Sequence, residues 1–231
     1  MNDIPAWPSK LTREQQRTVR QRNKEFQAAL KRNARANEWR YAGGLIFRQS
    51  VDWFMDILPS LLWEHGLIAR LRIKPMALDP LFWDIVGLPE NNALPISFRA
   101  MGAWVLRPKT KDEYIGLDIN DVETLATDLF RWANDRADTI LADMSLGKML
   151  DDLPPDEDLR GQTRALATCL RIMNGDLDRA MRLCNVDEPD VHPLVRDGGG
   201  FTTRQLDGSY INFLDQAIDW IENKITDKRV I

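Results

Sequence analysis

Residues 38–74 read EWRYAGGLIFRQSVDWFMDILPSLLWEHGLIARLRIK, and here the apolar spacing changes from a helical repeat of three and four to alternation. A period of two turns successive side chains to opposite faces of an extended chain, so this stretch predicts a sheet. Its clearest strand has Leu67, Ala69, Leu71 and Ile73 alternating with Ile68, Arg70, Arg72 and Lys74, closed by Pro75. Val51, Trp53, Met55 and Ile57 define another, with Asp52 and Asp56 opposite and Pro59 expected to end regular pairing. Earlier, Trp39, Tyr41, Leu45 and Phe47 are expected to share one face and Arg40, Ile46 and Arg48 the other, with Gly43 and Gly44 marking a bulge or a close backbone approach. A turn is expected at Glu64, His65 and Gly66. A fourth strand is expected over Phe98–Leu106, with Phe98, Trp104 and Leu106 on one side and Arg99, Met101, Val105 and Arg107 on the other. The first three strands are joined by connections too short for a parallel crossover, which makes them antiparallel.

Around this sheet the sequence predicts helices. Thr12 with Gln15 forms a capping-box signature, and Arg13 to Asn33 runs without Gly or Pro. That helix has a thin apolar stripe of Val19, Phe26, Ala29 and Leu30, while Arg13, Arg17, Arg20, Arg22, Lys24, Lys31, Arg32 and Arg35 fill much of its remaining surface. Asp79 and Pro80 predict a cap and a short helix over Leu81–Val86, stopped by Gly87. Pro108 to Gly116 reads as a polar linker. Beyond it, Asn120 is expected to cap a long helix whose apolar face runs from Val122 to Met144, and Ser145 a short helix through Leu150. Leu159 to Met173 is expected to be a helix ended by Asn174 and Gly175, followed by a short one from Asp176 to Cys184. A loop is expected over Asn185–Leu206, and a last helix capped by Ser209. The fold class is therefore α+β: an N-terminal helix, a four-stranded antiparallel sheet and a largely helical C-terminal half packed on it.

The 231 residues, 44% of them hydrophobic and 8 of them Trp, suffice for one generous domain with a filled core. Within it the charge is uneven. Residues 1–40 carry 10 Lys or Arg against 4 Asp or Glu, residues 41–117 carry 8 of each, and residues 118–231 carry 13 against 23. A single domain over 1–231 is expected, with a basic helix and sheet in 1–117 and an acidic helical part in 118–231. Two cysteines, Cys169 and Cys184, are too few for a disulfide framework or a four-thiolate zinc site and are expected to be buried and reduced. Apolar runs are interrupted by Glu64, His65 or Asp84 well short of a membrane span of roughly 20 residues. The N-terminal residues lack the apolar core of a signal peptide, so a soluble, cytoplasmic protein is expected.

No catalytic signature emerges. His65 and His192 lack a paired metal spacing, and the glycine run Gly198–Gly200 lacks the Lys and Ser/Thr of a phosphate-binding loop. The acidic run Asp151, Asp152, Asp156, Glu157 and Asp158 is broken by Pro154 and Pro155 and lacks the spacing of a calcium loop. No cofactor and no metal site is expected. The surface pattern that stands out is the polar side of the sheet, where Arg40, Arg48, Arg70, Arg72, Lys74, Arg99 and Arg107 are expected to gather among Ile46, Phe54, Ile68 and Met101. Arginine stems supply packing while guanidinium groups hydrogen-bond carboxylates, which suits an acidic protein partner. The competing structural reading is that Asp52 or Asp56 pairs with these arginines across strands and fixes register.

These features lead to a non-enzymatic protein-interaction module, by analogy of size a bacterial accessory or immunity-type protein, binding through the basic sheet face or the basic N-terminal helix. One alternative is an enzyme whose site assembles between the sheet edge and residues 186–203. Another is nucleic-acid binding through the helix of residues 13–35, which a sequence pI near 5.3 disfavours.

Overall fold

A computed structural model describes residues 11–62, 66–101, 105–107, 109–116, 121–185, 203–204 and 210–229. The chain is α+β, with an N-terminal helix, an antiparallel sheet and a helical C-terminal half. Its contacts group into two compact units, Met1–Lys74 with Pro108–Asp143, and Pro75–Arg107 with Met144–Ile231.

In the first unit, helix α1 spans Arg13–Ala36 and begins at the expected capping box: the Gln15 amide donates to Thr12 Oγ1 at 3.2 Å and the Thr12 amide to Gln15 Oε1 at 2.8 Å. These two bonds satisfy amides that an isolated helix start leaves unpaired. Phe26, Ala29, Leu30 and Ala34 are its buried seam, and it packs on strand β1 (Arg40–Ala42) and on the long helix α4 (Val122–Ala142). Asn120 lies outside the described residues. The cap of α4 is Asp121, whose Oδ1 accepts from the amides of Glu123 and Thr124 at 3.1 and 3.0 Å.

The sheet has five strands in chain order, β1, β2 (Leu45–Ser50), β3 (Trp53–Leu62), β4 (Gly66–Pro75) and β5 (Lys109–Gly116). Three expectations are corrected here. Gly43 and Gly44, with φ of 53° and 88°, form a tight hairpin turn, so the single early strand is two paired strands. Both turn positions need the left-handed backbone that glycine adopts without steric cost, as in the two-residue turns that suit strand twist. Pro59 does not end pairing, because β3 continues through it to Leu62. The partner on the far side of β4 is β5, the segment expected to be a linker, while residues Ile96–Met101 form a short helix, α3. Lys109, Lys111, Asp112 and Glu113 hid the alternation of β5, and charged side chains are what an edge strand carries to discourage pairing with another chain. Pro95 immediately before Ile96 suits a helix start and replaces a strand with a turn of helix.

The second unit contains α2 (Leu78–Ile85), α3, α5 (Leu146–Asp151), α6 (Gly161–Met173), α7 (Leu177–Cys184), the small ladder of β6 (Thr203–Arg204) with β7 (Tyr210–Ile211), and α8 (Phe213–Arg229). Arg164 to Leu170 are all buried, and α6 packs against α2, α5 and α7. The rings of Phe82 and Phe213 stack at 5.3 Å between centroids, and Trp220 Nε1 donates to Asp84 at 2.8 Å. Ser145 and Asp176 cap α5 and α7 as expected, and Gly175, with φ of 77°, ends α6. Asp79 is not a cap: it is buried inside the first turn of α2, behind Ala77. Ser209 lies outside the described residues, and Asn212 accepts from the Asp215 amide at the start of α8. Among the described residues no helix is long and apolar enough to cross a membrane.

The hairpin turns make opposite predictions. Gly44→Ala places a Cβ on a left-handed backbone and is expected to lower unfolding stability by about 1–2 kcal/mol. Val51, at the β2–β3 turn, is 83% exposed and already has φ of 45°, a conformation poorly suited to a β-branched residue. Val51→Asn is expected to raise stability by about 1 kcal/mol. Urea unfolding of both variants, analysed at constant slope, checks the two signs.

Candidate interaction surface

Pair register assigns every strand residue to a face. Tyr41 opposes Ile46, which opposes Ile57, and Arg48 opposes Met55. This face lies under the helices of the first unit. Trp39 Nε1 donates to Asn134 of α4 at 2.8 Å, the Tyr41 hydroxyl donates to Gln27 of α1 at 2.6 Å, and Tyr114 of β5 packs on Trp132 at 5.5 Å. Arg48 therefore sits beneath α4, with its guanidinium 4.9 Å from the Trp39 ring and 2.9 Å from Asp138. Sequence alternation alone had placed Arg40 beside it. The Gly43–Gly44 hairpin reverses the chain, so Arg40 opposes Phe47 on the other face.

That other face carries Arg70, Arg72 and Lys74, but their charges are engaged. Arg72 clasps Asp56 with two hydrogen bonds of 2.6 and 2.8 Å, and Asp56 retains only 1% exposure. Two parallel bonds from one guanidinium are the geometry that best compensates a carboxylate removed from water. Lys74 is fully buried with its ammonium 5.4 Å from the Phe54 ring. Arg70 opposes Glu113 and binds it at 2.9 Å on the open surface. Such an exposed pair contributes only about 0–1 kcal/mol but still neutralises the site.

The remaining two expected residues lie off the sheet. Arg99 is on α3 in the second unit, where Nη1 donates to the Met76 carbonyl at 3.1 Å, the guanidinium lies 5.6 Å from Trp83, and Asp79 is 3.8 Å away. Arg107 is exposed in the connection between α3 and β5. The seven residues thus belong to three surroundings, and no continuous basic sheet face unites them.

Continuous basic surface occurs instead on α1. Arg13, Arg17, Arg20, Lys24, Ala28, Lys31 and Arg35 are all exposed. At 100° per residue they fall within about 80° of arc, and at 1.5 Å per residue they extend over about 33 Å. Phe26, Ala29 and Leu30 lie on the far side, and Ala34 on the flank between. Among the described residues none of the six cations in this stripe forms an ion pair, whereas Arg32, on its margin, pairs with Glu123 of α4. Ala28 interrupts the stripe, and an open concavity of about 480 Å³ forms there between Ala28, Lys31, Arg32 and Arg35. All these cations were visible in the sequence. The overlooked signal was their spacing of three, four and seven, which puts six of them in one row.

Two other ionisable groups are tied into the fold. Asp156, from the acidic run, receives two bonds from Arg179 at 2.7 and 3.1 Å, which hold its carboxyl below the usual range. Among the described residues no group of three His, Cys, Asp or Glu is arranged to hold a metal. Cys169 and Cys184 are free and buried, and burial, then the neighbouring Cys184 and Asp79, push the Cys169 thiol well up, away from the reactive thiolate. His65, His192 and residues 186–202 lie outside the described residues, and with them most of the alternative enzyme site.

Asp56 makes the sheet's charge state testable. Its pKa is raised above the ordinary 3.8 because burial outweighs the opposing pull of Arg72 and Lys74. The folded chain therefore keeps this proton to higher pH than the unfolded chain. Stability from this group is greatest below 3.8 and falls as pH rises towards the folded value. Unfolding of the wild type and Asp56→Asn from about pH 3 to pH 7 is expected to show the stability difference moving in favour of the variant as pH rises through that window. Movement the other way would mean that Arg72 outweighs burial. Compared with family models, curated proteins and solved structures, the chain matches none.

Proposed function

We propose that this protein is a non-enzymatic interaction module that binds an acidic protein surface through the exposed face of α1. The observation that carries this reading is the row of six cations, Arg13, Arg17, Arg20, Lys24, Lys31 and Arg35, which have no ion-pair partner among the described residues and lie on the side of the helix away from its buried seam. Like charges three and four residues apart on a helix repel and cost stability. A partner bearing carboxylates in the same row relieves that repulsion and adds charge-assisted hydrogen bonds, of which arginine makes the better oriented kind. The engaged state of Arg48, Arg70, Arg72 and Arg99 moves the proposed surface from the sheet to the helix.

A protein partner is favoured over nucleic acid because the chain as a whole is acidic, with a net charge of -4. Phosphate-binding domains ordinarily combine a basic patch with a basic overall charge. The acidic remainder of this chain would repel a long polyanion beyond the reach of α1, while a compact acidic patch meets only the stripe.

The triple variant Arg17→Glu, Lys24→Glu, Lys31→Glu alters exposed positions only, so each change is expected to shift stability by no more than about 0.5 kcal/mol. Affinity capture from the source cells with wild type and variant, each with and without nuclease, checks the reading. We expect a stoichiometric acidic protein retained by the wild type, lost from the variant, and indifferent to nuclease. Equal retention by both proteins, or release by nuclease, would overturn it.

A further inference from the structure

We infer that the occupant of this surface is itself a helix, with carboxylates in a matching row and one apolar side chain seated over Ala28; the inference rests on the proposed binding role of α1. Three observations carry it. The cations advance along α1 in steps of three and four residues, about 4.5–6 Å, except for one step of seven, about 10.5 Å, across Ala28. Glutamates on one face of a second helix advance by the same steps, so two parallel or antiparallel rods stay in register along the whole 33 Å or so. An irregular acidic loop meets such a row at only a few points. A nucleic-acid duplex winds its phosphates around its own axis and likewise meets a straight row only where the strands cross it.

The second observation is the length of the row, since α1 runs 24 residues between the Thr12 and Asn37 caps. The third is the break at Ala28. An unbroken basic row would read charge alone, with no fixed register. Here the open concavity of about 480 Å³ is lined by Ala28, which contributes no long side chain, and by Lys31, Arg32 and Arg35. Aliphatic stems of lysine and arginine bury readily against apolar groups while their charged ends remain in water. A leucine, methionine or phenylalanine from the partner fits that chemistry, and its surrounding carboxylates meet Lys24, Lys31 and Arg35. Charge then gives attraction, and the notch gives register.

The test uses the full chain and synthetic peptides of about 22 residues, the length that spans the row. One is a helix-forming peptide with glutamates along a single face and a central Leu. A second replaces that Leu by Ser. A third has the composition of the first but with the glutamates scattered around the helix. Titration by fluorescence anisotropy is expected to rank the Leu peptide about fivefold tighter than the Ser peptide, which corresponds to partial burial of one side chain. The scattered peptide is expected to bind at least tenfold more weakly than the first. Ala28→Gln, which fills the notch without changing charge or helix propensity greatly, is expected to erase the Leu advantage and keep binding of the Ser peptide.

Equal affinity for the Leu and Ser peptides, or a Leu advantage that survives Ala28→Gln, overturns the notch and leaves acidic docking standing. Equal binding of the scattered peptide overturns the helical occupant. Failure of all three peptides, or tighter binding of a duplex of about 20 base pairs than of any peptide, overturns the proposed function as well.

Discussion

Asp56 is a carboxylate almost wholly withdrawn from water in the middle of a sheet, and the arrangement of charge in the first unit follows from what that requires. A buried anion is tolerated only when hydrogen bonds and an opposite charge replace its hydration. β4 supplies both by placing Arg72 beside it, and the two-bond geometry fixes how β3 and β4 meet on that face. Lys74 adds a second positive charge near Asp56, held over Phe54. Residues that resemble a binding patch when read along one strand are therefore components of the sheet. The stacking of Phe47 on Phe54 at 6.0 Å fills the apolar space next to them.

The opposite face obeys the same rule with different parts. Arg48 lies under α4, and its charge is answered by Asp138 and by the face of the Trp39 ring. Asn134 links the two, accepting from Trp39 at 2.8 Å and from Arg48 at 3.3 Å, while its own amide donates to Asn37 at 3.2 Å. One polar residue of α4 thus ties together the end of α1, the approach to β1 and the side chain of β2. Gly116 of β5 permits the same close approach further along, since a Cβ there would collide with Leu125 of α4. Among the described residues of the first unit, the longest row of exposed cations with no ion-pair partner lies on the outer face of α1.

This separation is consistent with the binding role proposed for α1. Cations that must hold the fold together are paired or covered, and those on α1 can be satisfied by another molecule without loss to the core. The Thr12 capping box and the buried seam of Phe26, Ala29, Leu30 and Ala34 keep the helix intact despite repulsion along its outer row. The backbone of α1 is already ordered, so a partner would have to order only the side chains of the row.

Sequence by itself determined the class of fold, because alternation and helical spacing are local consequences of backbone geometry. The alternating run Leu67 to Lys74 was enough for β4, and Thr12 with Gln15 for the start of α1. The helices from Ser145 to Cys184 were legible for the same reason, each bounded by a cap that acts within four residues. Tertiary structure decided what alternation cannot express. Whether Gly43–Gly44 bends a strand or reverses it determines the face of Arg40, and that depends on pairing with β2. Whether Lys109–Gly116 is a linker or a strand depends on the free edge that β4 offers it. Helical periodicity placed the cations of α1, but only the partners of Arg48, Arg70, Arg72 and Arg99 revealed which charges the fold had already used. Ion pairing joins residues up to 91 positions apart, and no local pattern records it.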